Sequence, residues 1–97
     1  MNKARLVIQK GGYPGTAFEL SPGATLIGRN PSTDITLVDE GISREHAVIE
    51  WEDDTFSIED LQSTNGTKVN GTRIRSTKLE DGDEIQIGRT VLVLHSL

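Results

Sequence analysis

The chain has 97 residues, enough for one compact domain, because folded domains use about 50 to 200 residues to bury a core. Its formal net charge of −5 argues against nonspecific binding to nucleic acid or to an anionic membrane surface. The absence of cysteine excludes disulfides, thiolate zinc sites and cysteine nucleophiles. We therefore expect residues 1–97 to form a single domain in which any anionic ligand is held by a local group of donors.

Apolar residues alternate with a period of two along most of the chain, which predicts β-strands rather than helices. In chain order the predicted strands are 4–10, 17–20, 25–28, 35–37, 47–51, 55–60, 67–69, 73–74, 84–87 and 90–95. Turn residues separate nearly all of them, and this pattern indicates a β-sandwich or a barrel. The apolar run in the first strand is far too short for a signal peptide or a membrane span, so we expect a cytoplasmic protein.

Strand alternation also predicts which side chains enter the core. The expected inward groups are Ala47, Ile49 and Trp51, then Phe56 with Ile58, Ile85 with Ile87, and Val91 with Val93. The dipeptide of Asn70 and Gly71 predicts a type I′ hairpin turn, whose central residues both need positive φ. Acidic residues cluster at 50–54 and 80–84 without the spacing of a calcium loop, so we interpret them as solvated turns and expect no metal site and no cofactor.

Two polar segments precede or follow predicted strands. Gly28 and Arg29 end the third strand, and by itself Arg29 is most simply an exposed loop arginine. Ser43, Arg44 and His46 stand directly before the fifth strand. A hydrolase would use Ser43 as nucleophile and His46 as base, but a serine nucleophile also needs an orienting carboxylate and an oxyanion hole, and no nucleophile-elbow glycine pattern surrounds Ser43. We therefore expect no catalytic residue, and a structural role for His46 as a buried imidazole that ties neighbouring loops.

A third polar segment, residues 60–67, lies between two predicted strands and is rich in short hydroxyl and amide side chains. One interpretation is an ordinary loop whose side chains bond only to their own backbone. The other is that its hydroxyls, amide and backbone N–H groups converge with Arg29 and Ser43 on an anion. The residues of this segment alone do not decide between the two.

Taken in order, these segments resemble the forkhead-associated (FHA) domain over nearly the whole chain. The matching segments are 28–29, 43–46, 63–67, 69–71, 79, 81–85 and 87–88. The resemblance implies a twisted two-sheet sandwich of about eleven mostly antiparallel strands, with binding loops at one end. It also implies a phosphothreonine-binding module that acts on protein or peptide partners of a Ser/Thr kinase and has no catalytic activity.

The resemblance assigns roles to single residues. It implies phosphate contacts by Arg29, Ser43, Arg44 and Thr64, a contact of Asn65 with the peptide backbone, and structural support by Gly28, His46, Gly66 and Asn70. The chain departs from the family pattern at Gln62, where glycine is common. It also has Gly41 where some members carry an arginine that selects the third residue after the phosphothreonine. That selectivity is therefore open.

Two further expectations concern partners. We expect a monomer, which could be part of a longer multidomain chain. The alternative function is a phosphate-independent interaction or assembly domain that keeps the fold but binds through a sheet face or edge. The joint presence of Arg29, Ser43 and Thr64 favours phosphate binding, because a domain without that role has no need of all three.

Overall fold

The computed structural model describes residues 3–96, so the outermost ends of the expected 1–97 domain lie outside the described residues. Eleven strands follow one another in chain order. They are β1 (Ala4–Lys10), β2 (Ala17–Glu19), β3 (Gly23–Gly28), β4 (Ile35–Thr36), β5 (Ala47–Glu52), β6 (Thr55–Asp60), β7 (Thr67–Val69), β8 (Thr72–Ile74), β9 (Ser76–Leu79), β10 (Glu84–Ile87) and β11 (Thr90–Ser96). No helix occurs in residues 3–96, and therefore none that is long and apolar enough to cross a membrane.

The strands form two sheets, which confirms the predicted all-β sandwich. One sheet has the order β2-β1-β11-β10-β7-β8, and the other has the order β4-β3-β5-β6-β9. Within the described residues β3 and β4 are the one parallel pair, and the remaining strand pairs are antiparallel. Buried aliphatic and aromatic side chains from both sheets make up one hydrophobic core. Burial of these apolar faces is the main force that holds the two sheets together.

Most of the predicted strands are confirmed, and β9 is the one that the sequence pattern missed. Leu79 is its only fully buried side chain, and its other residues are polar. Because β9 lies at the edge of its sheet, one face and one edge are open to water, and no apolar alternation is required. A polar edge strand of four residues therefore leaves no signal in the hydrophobic pattern.

The prediction that Val91 and Val93 of the last strand face the core is wrong. Leu92 and Leu94 are fully buried, whereas Val91 and Val93 are half-buried on the outer face of the sheet. The reason is the two-residue turn between β10 and β11, which places Ile87 directly opposite Thr90. Residues that are directly opposite share a face, so the buried side of β10 continues into the even-numbered residues of β11.

Other facing predictions are confirmed, as is the predicted hairpin. The expected inward residues of β5, β6 and β10 are all buried. Between β7 and β8, Asn70 has a φ of 51° and Gly71 a φ of 85°, as a type I′ turn requires. The Asn70 side chain also donates to Asp83 and accepts the Glu84 N–H, so this turn is tied to the start of β10. Asn70 therefore supports the sheet and does not lie among the loops described next.

Candidate functional site

Arg29 follows β3 and is held by its backbone and by one side-chain nitrogen. Its N–H donates to the Ser43 carbonyl at 3.0 Å, and its Nε donates to the Ile42 carbonyl at 3.0 Å. The side chain is exposed, and its terminal nitrogens have no hydrogen-bond acceptor among residues 3–96. The guanidinium is thus fixed at its base while its outer donors remain free for a ligand.

Gly28 makes this arrangement possible because it is buried against the loop that carries Ser43 and Arg44. A methyl group on Gly28 would overlap the Arg44 carbonyl oxygen. That carbonyl accepts the Asn30 N–H at 3.1 Å, which is a second tie between the two loops. The Arg44 side chain is exposed beside them. The close backbone approach at Gly28 therefore brings both arginines to one end of the sandwich.

Ser43 and Thr64 come together from loops that are far apart in the sequence. The Thr64 N–H donates to the Ser43 Oγ at 3.0 Å. In this role the Ser43 oxygen is an acceptor, so its O–H remains able to donate. The Thr64 side chain is exposed, and its hydroxyl has no hydrogen-bond partner within the described part of the chain. Two hydroxyl donors therefore lie side by side on the surface.

Asn65 is exposed next to Thr64 and is oriented by a single contact. Its Nδ2 donates to the Gly41 carbonyl at 3.0 Å. The amide nitrogen is engaged in this bond, whereas the Oδ1 has no donor among residues 3–96. The amide oxygen can therefore accept from the N–H of an extended peptide laid across the loops.

His46 lies beneath these loops and is completely buried. Its Nδ1 accepts the Ser43 N–H at 3.0 Å, and its Nε2 bonds the Gly66 carbonyl at 2.9 Å. Since a carbonyl can only accept, the hydrogen-bond pattern assigns the ring proton to Nε2. One imidazole thus joins the Ser43 loop to the loop that contains Thr64.

Asp60 organises the 60–67 loop from its N-terminal end. It accepts hydrogen bonds from the Ser63 N–H, the Ser63 hydroxyl and the Thr67 hydroxyl, and the Ser63 Oγ in turn accepts the Gly66 N–H. Burial raises the pKa of Asp60, but these hydrogen bonds together lower that pKa below its ordinary value. Asp60 is therefore a carboxylate that fixes the loop and is not available to a ligand.

Each of the two interpretations of residues 60–67 that the sequence left open describes part of this loop. Ser63 and Thr67 bond within the loop, whereas Thr64 and Asn65 face solvent. Gln62 has a φ of 56°, a left-handed conformation that favours glycine, at the position where glycine is common in the family. Gln62 therefore adopts a backbone conformation that glycine would adopt with less strain.

Gly66 is buried and also has a left-handed backbone, with a φ of 86°. The Arg73 guanidinium packs on it, because a methyl group there would lie 2.6 Å from the Arg73 Nε. A side chain at this position would displace the Arg73 guanidinium and would be strained by the left-handed backbone. Gly66 is therefore the residue type that fits this position of the loop without strain.

Sequence reasoning did not single out Asp39, which braces the site from another direction. Its carboxylate accepts from the Gly41 N–H at 2.8 Å, the Arg89 N–H at 2.7 Å and the Thr90 hydroxyl at 3.4 Å. Burial raises the pKa of Asp39, but these bonds and the charge of Arg89 lower it overall. The only signal in the sequence is an aspartate two residues before a glycine, which is typical of any Asx turn.

The geometry does not suit a serine hydrolase. A catalytic histidine must bond the nucleophile oxygen, but His46 accepts from the backbone N–H of Ser43 instead. The Ser43 Oγ already accepts from Thr64. In residues 3–96 no group of three or more His, Asp or Glu side chains could hold a metal ion. The exposed guanidinium and the two hydroxyls suit the recognition of an anion with several oxygens.

Comparison with known proteins agrees with this geometry. The sequence model of the FHA domain family matches residues 25–88. The glycogen accumulation regulator GarA of Mycobacterium tuberculosis is 42% identical over 90 residues, which cover 93% of this chain but 56% of GarA. The chain thus spans little more than half the length of this relative.

Two solved structures show the same fold. One comes from work on phosphothreonine-dependent FHA domain interactions, with a TM-score of 0.90, 33% identity, and coverage of 96% of this chain and 95% of the other. The second is the FhaA FHA domain complexed with the intracellular domain of Rv3910, with a TM-score of 0.88, 34% identity, and coverage of 95% and 99%. Both agree with the two-sheet architecture.

Proposed function

The chain belongs to the FHA domain family, and from this premise we propose that it binds phosphothreonine in partner proteins that a Ser/Thr kinase has modified. The observation that carries the proposal is the convergence of free donors from three loops. Arg29, Ser43 and Thr64 reach one patch of surface, linked by the bond from the Thr64 N–H to the Ser43 Oγ and by the bonds of Arg29 to the Ser43 loop.

The chemistry of phosphothreonine fits these donors. The phosphate carries about −1.5 to −2 charges at neutral pH and three acceptor oxygens. Arg29 presents a rigid fork for two of them, while the hydroxyls of Ser43 and Thr64 serve the others and Arg44 adds positive charge. Each bond to the charged group contributes about 1.5 to 3 kcal/mol before ordering costs, so three or four such bonds support roughly micromolar binding.

Asn65 extends the site from the phosphate to the peptide backbone. Its Nδ2 is held by the Gly41 carbonyl, while the Oδ1 receives no hydrogen bond from residues 3–96. We assign this oxygen to the N–H of a residue next to the phosphothreonine. Under this proposal Gly28, His46 and Gly66 do not touch the ligand and instead hold the loops at the required separation.

The proposal also covers the cellular role of the domain. It acts as a recognition module without catalysis, needs no cofactor, and binds neither nucleic acid nor membranes. It works as a monomer in the cytoplasm, on its own or within a longer chain. The relative GarA is a regulator by name, which supports a regulatory role without identifying the partner.

A degenerate phosphothreonine peptide library, compared with its unphosphorylated twin, tests the function directly. We expect retention of phosphorylated peptides only. Calorimetric titration of a selected peptide against Arg29→Ala should then show no measurable binding. The variant should still fold, because it loses a single bond to the Ile42 carbonyl, worth about 1 kcal/mol. Arg5→Ala is the matched control, since Arg5 is exposed on β1, outside the loops.

Two results would overturn the assignment. Equal retention of both libraries would favour the phosphate-independent interaction domain. Unchanged affinity of Arg29→Ala for the phosphopeptide would place the phosphate elsewhere on the surface. Arg29→Lys separates charge from geometry, because lysine keeps the charge but loses the fork of donors, and we expect an intermediate affinity.

A further inference from the structure

Two large apolar side chains are exposed in the described part of the chain, and both line the same groove. Tyr13 is 84% exposed and Val38 is 92% exposed. The groove has a volume of about 520 Å³, and its other walls include Ile8, Phe18 and Leu37. None of its lining residues is charged. Exposed apolar residues that occur together in a concave site are typical of a contact surface, whereas scattered ones need no explanation.

The Tyr13 side of the groove is held in place by its loop. The Thr16 N–H and hydroxyl both donate to the Tyr13 carbonyl, at 3.2 and 2.8 Å, and the Gly15 N–H donates to the Ile8 carbonyl at 2.7 Å. At the base of the loop, a methyl group on Gly11 would lie 3.0 Å from the Arg89 carbonyl oxygen. The loop therefore closes on itself and packs against the turn that precedes β11.

The Val38 side is fixed by the residues before and after it. The Leu37 N–H donates to the Gly28 carbonyl at 2.9 Å, and Asp39 accepts from Gly41, Arg89 and Thr90. Val38 is thus held on the surface between two anchored neighbours. A residue in this position cannot turn its side chain into the core without breaking those bonds.

A continuous line of contacts connects this groove with the phosphate site. Val38 precedes Asp39, whose carboxylate holds Gly41, and the Gly41 carbonyl accepts from Asn65. A shallow polar depression lined by Asp39, Gly41, Asn65 and Arg89 lies between the two regions. A peptide that leaves Asn65 in this direction crosses polar surface and then meets the apolar groove.

We propose that the groove binds an apolar side chain of the same phosphorylated segment, several residues away from the phosphothreonine. The inference rests on the proposed function and adds a second anchor to it. Continuity with Asn65 favours the phosphorylated partner as the occupant, and the uncharged lining favours an aliphatic or aromatic side chain. Burial of that side chain against Val38 and Tyr13 removes apolar surface of both molecules from water.

The test uses a peptide library with a fixed phosphothreonine and about eight randomised residues on each side. About eight extended residues at about 3.3 Å each span the short axis of the domain, 26 Å. We expect the selected peptides to carry an apolar residue at a fixed distance on one side only. Truncation before that residue should weaken binding about tenfold, equivalent to about 1.4 kcal/mol.

Variants of the groove separate the two anchors. Val38→Ser and Tyr13→Ser should each lower the affinity for the long peptide toward that for the truncated peptide. Neither variant should change the affinity for the truncated peptide. Ala24→Ser is the matched control, because Ala24 is an exposed apolar residue of β3 that does not line the groove, and it should change neither affinity.

Three results would contradict the inference. Selection of phosphothreonine with no apolar preference at any flanking position would refute the second anchor and leave the proposed function intact. Loss of a dimer in sedimentation of Val38→Ser, with long-peptide affinity unchanged, would assign the groove to a second copy of the chain. Failure to select phosphothreonine at all would refute the proposed function, and this inference with it.

Discussion

Replacement of the buried His46 by alanine tests whether the binding loops depend on one imidazole. The change removes the acceptor of the Ser43 N–H and the partner of the Gly66 carbonyl, two bonds of 3.0 and 2.9 Å. Each buried group left unpaired costs about 1 to 3 kcal/mol. Water entering the cavity restores part of this, since the Ser43 N–H is only partly buried. We expect a loss of about 2 to 4 kcal/mol in the free energy of unfolding, measured by denaturant titration.

Two further variants divide this loss between the two bonds. In His46→Asn, the side-chain Oδ1 can replace the ring Nδ1 as acceptor of the Ser43 N–H. In His46→Gln, the side-chain Nε2 can replace the ring Nε2 as donor to the Gly66 carbonyl. Each should recover about 1 kcal/mol relative to alanine. Thermal melting should agree, at about 4 to 8 °C per kcal/mol for a domain of this size.

Binding data distinguish a structural role of His46 from a contact with the ligand. We expect phosphopeptide affinity to fall in His46→Ala only to the extent that the loops lose order. A variant that melts at the parent temperature but no longer binds would refute the structural role and place the imidazole in contact with the phosphopeptide.

Three other predictions follow from the same geometry. Gly28→Ala should destabilise the domain by more than about 1 kcal/mol, because its methyl overlaps the Arg44 carbonyl oxygen, and a parent-like melt would contradict this packing. Burial raises the pKa of Asp39 and of Asp60, but the hydrogen bonds that each carboxylate accepts lower both pKa values below the ordinary 3.8. The stability that these two carboxylates contribute should therefore persist above pH 3.8 and be lost as the pH falls further. Acid titration of Asp60→Asn should show a smaller loss than the parent. The resemblance to the FHA family implies a small apolar pocket for the threonine γ-methyl beside the phosphate, and one buried methyl contributes about 0.8 kcal/mol. Phosphothreonine should therefore bind several-fold more tightly than phosphoserine at any salt concentration. Rising salt should weaken the binding of both peptides, because it screens the attraction to Arg29.

The architecture could be predicted from the sequence because burial of one strand face leaves a period-two pattern. Where that pattern is absent, as in the polar edge strand β9, the prediction failed. The error at Val91 and Val93 has a different origin, because β11 is apolar on both faces and alternation alone cannot select the inner one. The turn of Gly88 and Arg89 contained the missing information, since it sets Ile87 opposite Thr90.

The candidate site residues could be proposed from the sequence because they resemble an ordered family pattern, but the contacts that position them could not. Asp39 bonds to Arg89, which is 50 residues further along the chain, and no local signal marks such a pair. The bond of the Thr64 N–H to the Ser43 Oγ likewise joins two loops that only the fold brings together. Long-range hydrogen bonds depend on topology, so they become visible only after the strands are placed.

These long-range bonds bear directly on the affinity of the site. A flexible loop that must order on binding costs about 0.5 to 1.5 kcal/mol for each side chain immobilised. Here His46 joins the loop of Ser43 to that of Gly66, Asp60 fixes the start of the second loop, and Arg29 is bonded through its backbone and Nε. Most of the ordering is therefore completed during folding. Under the proposed function, the ligand has to order only the exposed parts of the site, such as the outer guanidinium of Arg29 and the hydroxyl of Thr64, so little of the binding free energy is lost to ordering.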